Sequence, residues 1–212
     1  MLPFSFLAIV SVSIGYLIGS FPTSYLIGRY WGKVDLRDEG SGHVSAVAVY
    51  RKLGLAPFIP VIIIDILKGM AAIVIANILT DPLWVVIITC IAAAAGHCWS
   101  IYIKFSGGLG SVTIYGMLLY LVPIEFFIAG AIAAIVLLTM KKSGLSTLLL
   151  LGLISLALFI EIIFNIEKRD IMLALLPIIF MALQYVKKLQ SHKQSDIYKN
   201  ELFSDLKRVK KT

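Results

Sequence analysis

An all-α membrane protein of about seven transmembrane helices is what this 212-residue chain predicts, and three observations carry the prediction. Of its residues 59% are apolar and 15% charged, and the mean hydropathy is +0.95. A water-soluble domain of this size could not bury so much apolar surface, so the solvent must be lipid. The apolar residues also fall in long runs separated by loops rich in Gly, Ser, Lys and Arg. Lastly, one topology gathers nearly all the basic residues on one side. The length allows one membrane domain, residues 1–186, followed by a basic tail, 187–212.

A crossing needs ~20 apolar residues. Residues 3–28, 55–79, 83–103 and 145–164 each suffice, and 171–186 is a shorter candidate that borrows from its flanks. The stretch 111–140 is too long for one crossing and short for two. Pro123 lies within it, where a helix interior loses a hydrogen bond and tends to break, so six or seven crossings are open. With seven crossings and the N-terminus outside, Arg29, Lys33, Arg37, Arg51, Lys52, Lys104, Lys141, Lys142 and the eight Lys/Arg of 187–211 all fall inside. Only Lys168 and Arg169 lie outside, and Lys68 is in the membrane. Six crossings would leave 8 basic residues inside and 10 outside. The enrichment of Lys and Arg in cytoplasmic loops selects seven crossings and a cytoplasmic C-terminus, with 111–122 as a short or tilted helix.

Nothing before Arg29 is Lys or Arg, and no small-residue cleavage site follows a short apolar core, so the first span is expected to stay as an anchor. The expected location is the cytoplasmic (inner) membrane, with several passes. Anchoring to an anionic leaflet accounts for most of the net charge of +7, and the tail reads as an interfacial or frayed segment, not a nucleic-acid binder. Cys90 and Cys98 read as ordinary buried thiols. The histidines never pair with cysteines or carboxylates at ligand spacing, so neither metal nor cofactor is expected.

Three inner loops share one chemical character: Gly28 to Gly54, Gly96 to Thr113, and Thr139 to Thr147. Each combines glycines or serines with a basic residue. Backbone N–H groups in glycine-rich turns form concave anion sites, and nearby Lys or Arg supply charge. Taken singly, each could be only a loop or a helix cap. Together on one side, they point to a pocket for phosphate-bearing substrates that also touches acyl chains.

Asp65 and Lys68 stand at i and i+3 near the middle of the second span, on one helix face. Ionisable groups there turn towards a partner or a polar cavity, so this is either an ion pair fixing helix packing or a substrate contact. His97, near the inner end of the third span, is either a helix-packing hydrogen-bonder or a catalyst. His43, within the first glycine-rich loop, could accept a proton or bind phosphate. Glu125 and Glu161 near the outer span ends need no function, and His192 in the tail reads as solvated.

The chain resembles the bacterial acyl-phosphate:glycerol-3-phosphate acyltransferase family. The resemblance rests on "GSFPTSYLIGRYWGKVDLRDEGSGHVSAVAVYRKLG" from Gly19 to Gly54, on Asp65, Lys68 and Gly69, and on Gly96, His97, Phe105, Gly107, Gly108, Gly110 and Thr113. It extends to Thr139, Ser143 and Ser146, and so covers roughly residues 15–150.

It implies a seven-helix membrane enzyme with its motif loops in the cytoplasm. The 1-hydroxyl of glycerol-3-phosphate would attack an acyl-phosphate, giving lysophosphatidic acid and phosphate, and the departing phosphate could take the hydroxyl proton. By the same resemblance Ser41, His43, His97 and Ser143 would serve catalysis, while Gly40, Gly42 and Arg51 would shape the polar-substrate site. Gly107, Gly108 and Gly110 would cradle a phosphate, with Lys104 and Thr113 as neighbours or ligands, and Arg37 with Asp35 would order the first loop. An enzyme that produces acyl-phosphate is the implied partner.

Several motif positions differ. His43, Val47 and Ala48 stand where the family carries Asn, Thr and Asn; Leu109 and Ser106 stand where it carries Lys; and its C-terminal His-Arg-Glu-Asn stretch has no clean match. A lost charge-assisted phosphate contact costs ~1.5–3 kcal/mol. Two other readings therefore accompany the enzyme: a catalytically impaired relative that binds acyl-phosphate or phospholipid as a regulatory or partner subunit, and a small transporter drawing on Asp65, Lys68 and the break at Pro123.

Overall fold

The computed structural model describes residues 3–38, 44–166 and 170–209, and all the regular structure among them is helical. In chain order the helices are α1 (Phe4–Ser20), α2 (Thr23–Tyr30), α3 (Ala46–Leu53), α4 (Leu55–Leu79), α5 (Leu83–Cys98), α6 (Ser111–Leu121), α7 (Pro123–Met140), α8 (Ser143–Ile163) and α9 (Ile171–Val209). Short 3-10 turns cover Leu36–Asp38 and Ile101–Ile103.

Six helical stretches are long and apolar enough to cross a membrane by length and composition: Phe4–Tyr30, Leu55–Leu79, Leu83–Ile103, Pro123–Met140, Ser143–Ile163 and Ile171–Ser191. The expected break at Pro123 is present. Pro123 opens α7, where its missing N–H would have had no helical partner in any case. The 11 residues of α6 span ~16 Å, short of a hydrocarbon core of ~30 Å.

A second break was not expected. The apolar run 3–28 is two helices, parted at Phe21 and Pro22. Pro22 has no N–H to continue the ladder and pushes the preceding residue out of helical geometry; Phe21 accordingly has φ −55 and ψ 117. The freed carbonyls find donors from elsewhere in the chain: Ser100 Oγ, just beyond α5, donates to Ser20 O, and Lys68 Nζ of α4 donates to Phe21 O at 3.1 Å. Irregular backbone at membrane depth survives only where its polar groups are re-satisfied in this way.

Small residues set how closely the helices meet. A Cβ added at Gly19 of α1 would sit 2.0 Å from Ala93 O of α5, and one at Gly96 would sit 2.2 Å from Tyr16 O. Ser11 and Thr89 exchange a hydrogen bond of 3.0 Å along the same seam. The α4–α6 contact repeats the device, with Gly69 against Thr113 O and Gly116 against Ile66 O. Lipid tails are as apolar as leucine, so close backbone approach and interhelical hydrogen bonds carry the association.

The main core gathers Ile73, Met117, Leu118, Ile154, Leu158 and Phe180 between α4 and α9. A smaller cluster of Leu36, Val44, Val49, Val61 and Ile103 presses α3 and the first loop onto α4. Through Ile103 the second cluster also holds the loop after α5 against the first loop and α3.

Candidate functional site

The loop after α5 is built on glycine and on strain. Lys104 and Phe105 both take left-handed backbone angles, φ 55 and 60, a conformation costly for residues with a Cβ. The chain then lies flat on the end of α5. Gly108 N–H donates to His97 O at 3.2 Å, and a Cβ at Gly107 would stand 2.0 Å from that same oxygen. A Cβ at Gly108 would meet Val44 O at 2.5 Å and His97 Nε2 at 2.8 Å.

One face of α9 grips this loop from behind. Gln184 Nε2 donates to Ser111 Oγ at 3.1 Å, and Lys187 Nζ donates to Phe105 O at 3.3 Å. Trp99 Nε1 donates to Gln190 Oε1 at 2.8 Å, with Lys187 over the Trp99 ring. These α9 residues stand at i, i+3 and i+6, so they share a face. Lys187, the first residue of the expected tail, is thus buried against the bundle.

His97 is buried at the junction of two cavities. Its Nδ1 lies 3.0 Å from Thr113 Oγ1, which leaves Nε2 towards Gly108. The first cavity is a recess of about 10 Å³, lined among others by Ser20, Thr23, Ser24, Lys68, Gly107 and Gly108. The hydroxyls of Ser20, Thr23 and Ser24 are buried and have no hydrogen-bond partner among the described residues. The second is a cleft of about 1330 Å³ that runs between α3 and α4 on one side and α6 to α9 on the other. Asp65, His97 and Gly110 touch its floor, Ile62, Phe126 and Leu150 are among its apolar walls, and Arg51, Lys52, Lys142 and Lys188 bring charge to it.

Asp65 and Lys68 do pair, at 2.8 Å and almost wholly out of solvent. The pair has a structural duty, because Lys68 also tethers the α1–α2 break through Phe21 O. Both residues line a cavity as well, Lys68 the recess and Asp65 the cleft.

The sequence-predicted residues are therefore brought together unevenly. Gly107 and Gly108 line the recess; Arg51, Gly110 and Ser143 line the cleft; Thr113 stands behind His97. Lys104 is exposed and lines neither cavity. Gly40, Ser41, Gly42 and His43 lie outside the described residues. Sequence reasoning missed the three recess hydroxyls and the α9 face. A cluster of hydroxyls around a proline in an otherwise apolar run was the available signal for the first; for the second, polar residues three apart in the last helix.

Arg37 is set aside from both cavities. It binds Asp35 at 2.6 Å and stands over the Tyr25 ring, which pins the first loop to α2. The Arg37 hydrogen bonds hold the Asp35 carboxyl down at about 2. A carboxylate with a depressed folded-state value stabilises the fold above its unfolded value near 4, and that contribution fades as pH falls from about 4 to about 2. Asp35→Asn is therefore expected to lower stability by about 1 kcal/mol at pH 7, modest because the pair is partly exposed. Thermal unfolding should show the gap between variant and wild type closing as the pH approaches 2.

The family model for glycerol-3-phosphate acyltransferase matches residues 9–194. This chain belongs to that family. The glycerol-3-phosphate acyltransferase 2 of Moorella thermoacetica is 40% identical over 119 residues, covering 56% of this chain and 61% of that protein. The glycerol-3-phosphate acyltransferase of Shouchella clausii is 37% identical over 159 residues, covering 74% and 77%. The chain spans about half to three-fifths of the length of several curated relatives that it matches.

A crystal structure of PlsY, an integral membrane glycerol 3-phosphate acyltransferase, in its glycerol 3-phosphate form matches with a TM-score of 0.76 at 26% identity, covering 88% of this chain and 90% of that one. Its lysophosphatidic acid form gives 0.69 at 25% identity. Like that integral membrane protein, the chain is a membrane protein, here of several passes, and the regular structure among its described residues is all helical.

Proposed function

We propose that the protein transfers a fatty acyl group from acyl-phosphate to the 1-hydroxyl of glycerol-3-phosphate. The observation that carries this reading is the meeting, at His97, of a long apolar cleft bearing cations with a glycine-rich loop. The cleft suits an acyl chain with an anionic head; the loop and the cations suit two phosphates held side by side. The acceptor's hydroxyl oxygen bonds to the acyl carbon, the bond from that carbon to the phosphate oxygen breaks, and the hydroxyl proton leaves with the phosphate. Lysophosphatidic acid and inorganic phosphate result, and no separate base is required. Positioning and charge neutralisation then supply most of the rate. The family match lends nothing to the transporter or to the impaired relative.

In this reading His97, held by Thr113, orients the reacting groups, and Gly107, Gly108 and Gly110 keep the loop close enough for its amides to face phosphate. Arg51 and Ser143 contact the head groups from the cleft. Ser41 and His43, with Gly40 and Gly42, belong to the polar acceptor's side, and Arg37 orders that loop. Lys104 acts at longer range, drawing anions to the surface. The membrane domain of 1–186 crosses the cytoplasmic membrane seven times with its N-terminus outside, α6 and α7 making separate passes, and residues 187–212 form the cytoplasmic tail. An enzyme that makes acyl-phosphate supplies the donor.

The test is phosphate release from palmitoyl-phosphate by purified protein in detergent or lipid. Release that depends on glycerol-3-phosphate and falls at least tenfold in Arg51→Ala is the expected result. Saturable binding of palmitoyl-phosphate without any release would overturn the reading for this acceptor.

A further inference from the structure

We propose that the recess between the α1–α2 break and the glycine-rich loop seats a single oxygen of a bound phosphate group. The recess has the volume of about one water-sized atom. Of the four hydroxyls that line it, Ser100 donates to Ser20 O, whereas Ser20, Thr23 and Ser24 are each at least 97% buried and without a hydrogen-bond partner among the described residues. Buried hydroxyls left unpaired are destabilising, and native structures seldom keep several in one place.

A cation joins these three unpaired hydroxyls. Lys68 has three N–H donors, and its contacts to Asp65 and Phe21 O use two of them. An ammonium can only donate, and each hydroxyl can turn to donate, so the group that satisfies all four is an acceptor carrying negative charge. A phosphate oxygen is such an acceptor and has the right size. Water would fill the space while no ligand is bound, and the oxygen would displace it.

The position agrees with the chemistry. Gly107, Gly108 and His97 form the opposite wall, so an oxygen in the recess belongs to a phosphate lying on the loop, beside the acyl-bearing cleft. Thr23 and Ser24 start α2, whose first turn adds the partial positive charge of a helix N-terminus. Ser20 ends α1 and Thr23 and Ser24 open α2, so the three hydroxyls meet at the corner that Pro22 makes.

The inference rests on the acyltransfer reading for where the phosphate comes from, though not for whether phosphate binds. The variants are Ser20→Ala, Thr23→Val and Ser24→Ala. Inorganic phosphate is titrated into each purified protein by ³¹P NMR, and unfolding is followed without phosphate. Phosphate binding ~10-fold weaker or more in each variant, with a phosphate-free unfolding midpoint equal to or above that of the wild type, is the expected result. A merely structural role for the hydroxyls would lower that midpoint.

The Michaelis constants then identify the source. A rise for palmitoyl-phosphate alone places the donor's phosphate in the recess; a rise for glycerol-3-phosphate alone places the acceptor's. Wild-type phosphate affinity in all three variants, or no phosphate binding by the wild type, overturns the proposal and leaves a site for water. A wild type without turnover defeats the acyltransfer reading, while the phosphate titration still decides this one.

Discussion

His97→Ala is expected to lower acceptor-dependent phosphate release by about two to three orders of magnitude, the range over which a positioned catalytic side chain acts. The ring touches both cavities and lies under Gly108, so its removal disturbs the recess, the cleft and the loop between them. Thr113→Val separates chemistry from orientation. It leaves the imidazole in place and removes only the hydroxyl 3.0 Å from Nδ1, so it should lower turnover about tenfold, roughly the worth of one buried hydrogen bond. Turnover by His97→Ala within a factor of three of the wild type would remove His97 from the reaction and return it to helix packing.

Lys68→Met is expected to be the most destabilising single change at the ion pair. It strands the Asp65 carboxylate, 1% exposed, in the interior, and it leaves Phe21 O with the Thr23 N–H as its remaining donor. Breaking a buried pair from one side costs about 3–5 kcal/mol, whereas replacing both partners with apolar residues is often nearly neutral. Asp65→Leu with Lys68→Met together should therefore recover much of the loss, short of the part owed to Phe21 O. Unfolding midpoints in one detergent for the two singles and the double decide the matter. A double variant as unstable as the sum of the singles would show that the two side chains act separately and that the pairing contributes little.

The helices were legible where one physical rule dominated. Apolar length gave the spans, and Pro123 gave the division of 111–140. Pro22 escaped notice because the apolar run continues on both sides of it, and because the donors that tolerate the break, Lys68 and Ser100, come from 46 and 78 positions beyond it. Such a partner cannot be read from local pattern.

The site divides in the same manner. Glycines close to α5 were visible as a motif, since only glycine permits that approach. Whether a lysine turns inward was not visible. Lys104 sits inside the motif and is exposed, whereas Lys187, assigned to a loose tail, is buried against Phe105 and Trp99. Burial of a long cationic side chain is decided by what packs above it, and Lys187 of α9 meets Phe105 across 82 positions of the chain.

The tether between Lys68 and the α1–α2 break has a consequence for biogenesis. Each long helix is apolar enough to enter the bilayer by itself, yet α4 would enter carrying an aspartate and a lysine towards lipid, and α1 would enter with Ser20 O still awaiting the hydroxyl of Ser100. The aspartate and the lysine can pair within α4, but the pair is shielded from lipid, and Ser20 O gains its donor, only after lateral docking, when α1, α4 and the end of α5 meet. The half-assembled chain is therefore marked by exposed polarity inside the membrane, a feature that chaperones and proteases of the bilayer could recognise, and the finished chain erases that mark by the same contacts that enclose the recess beside His97.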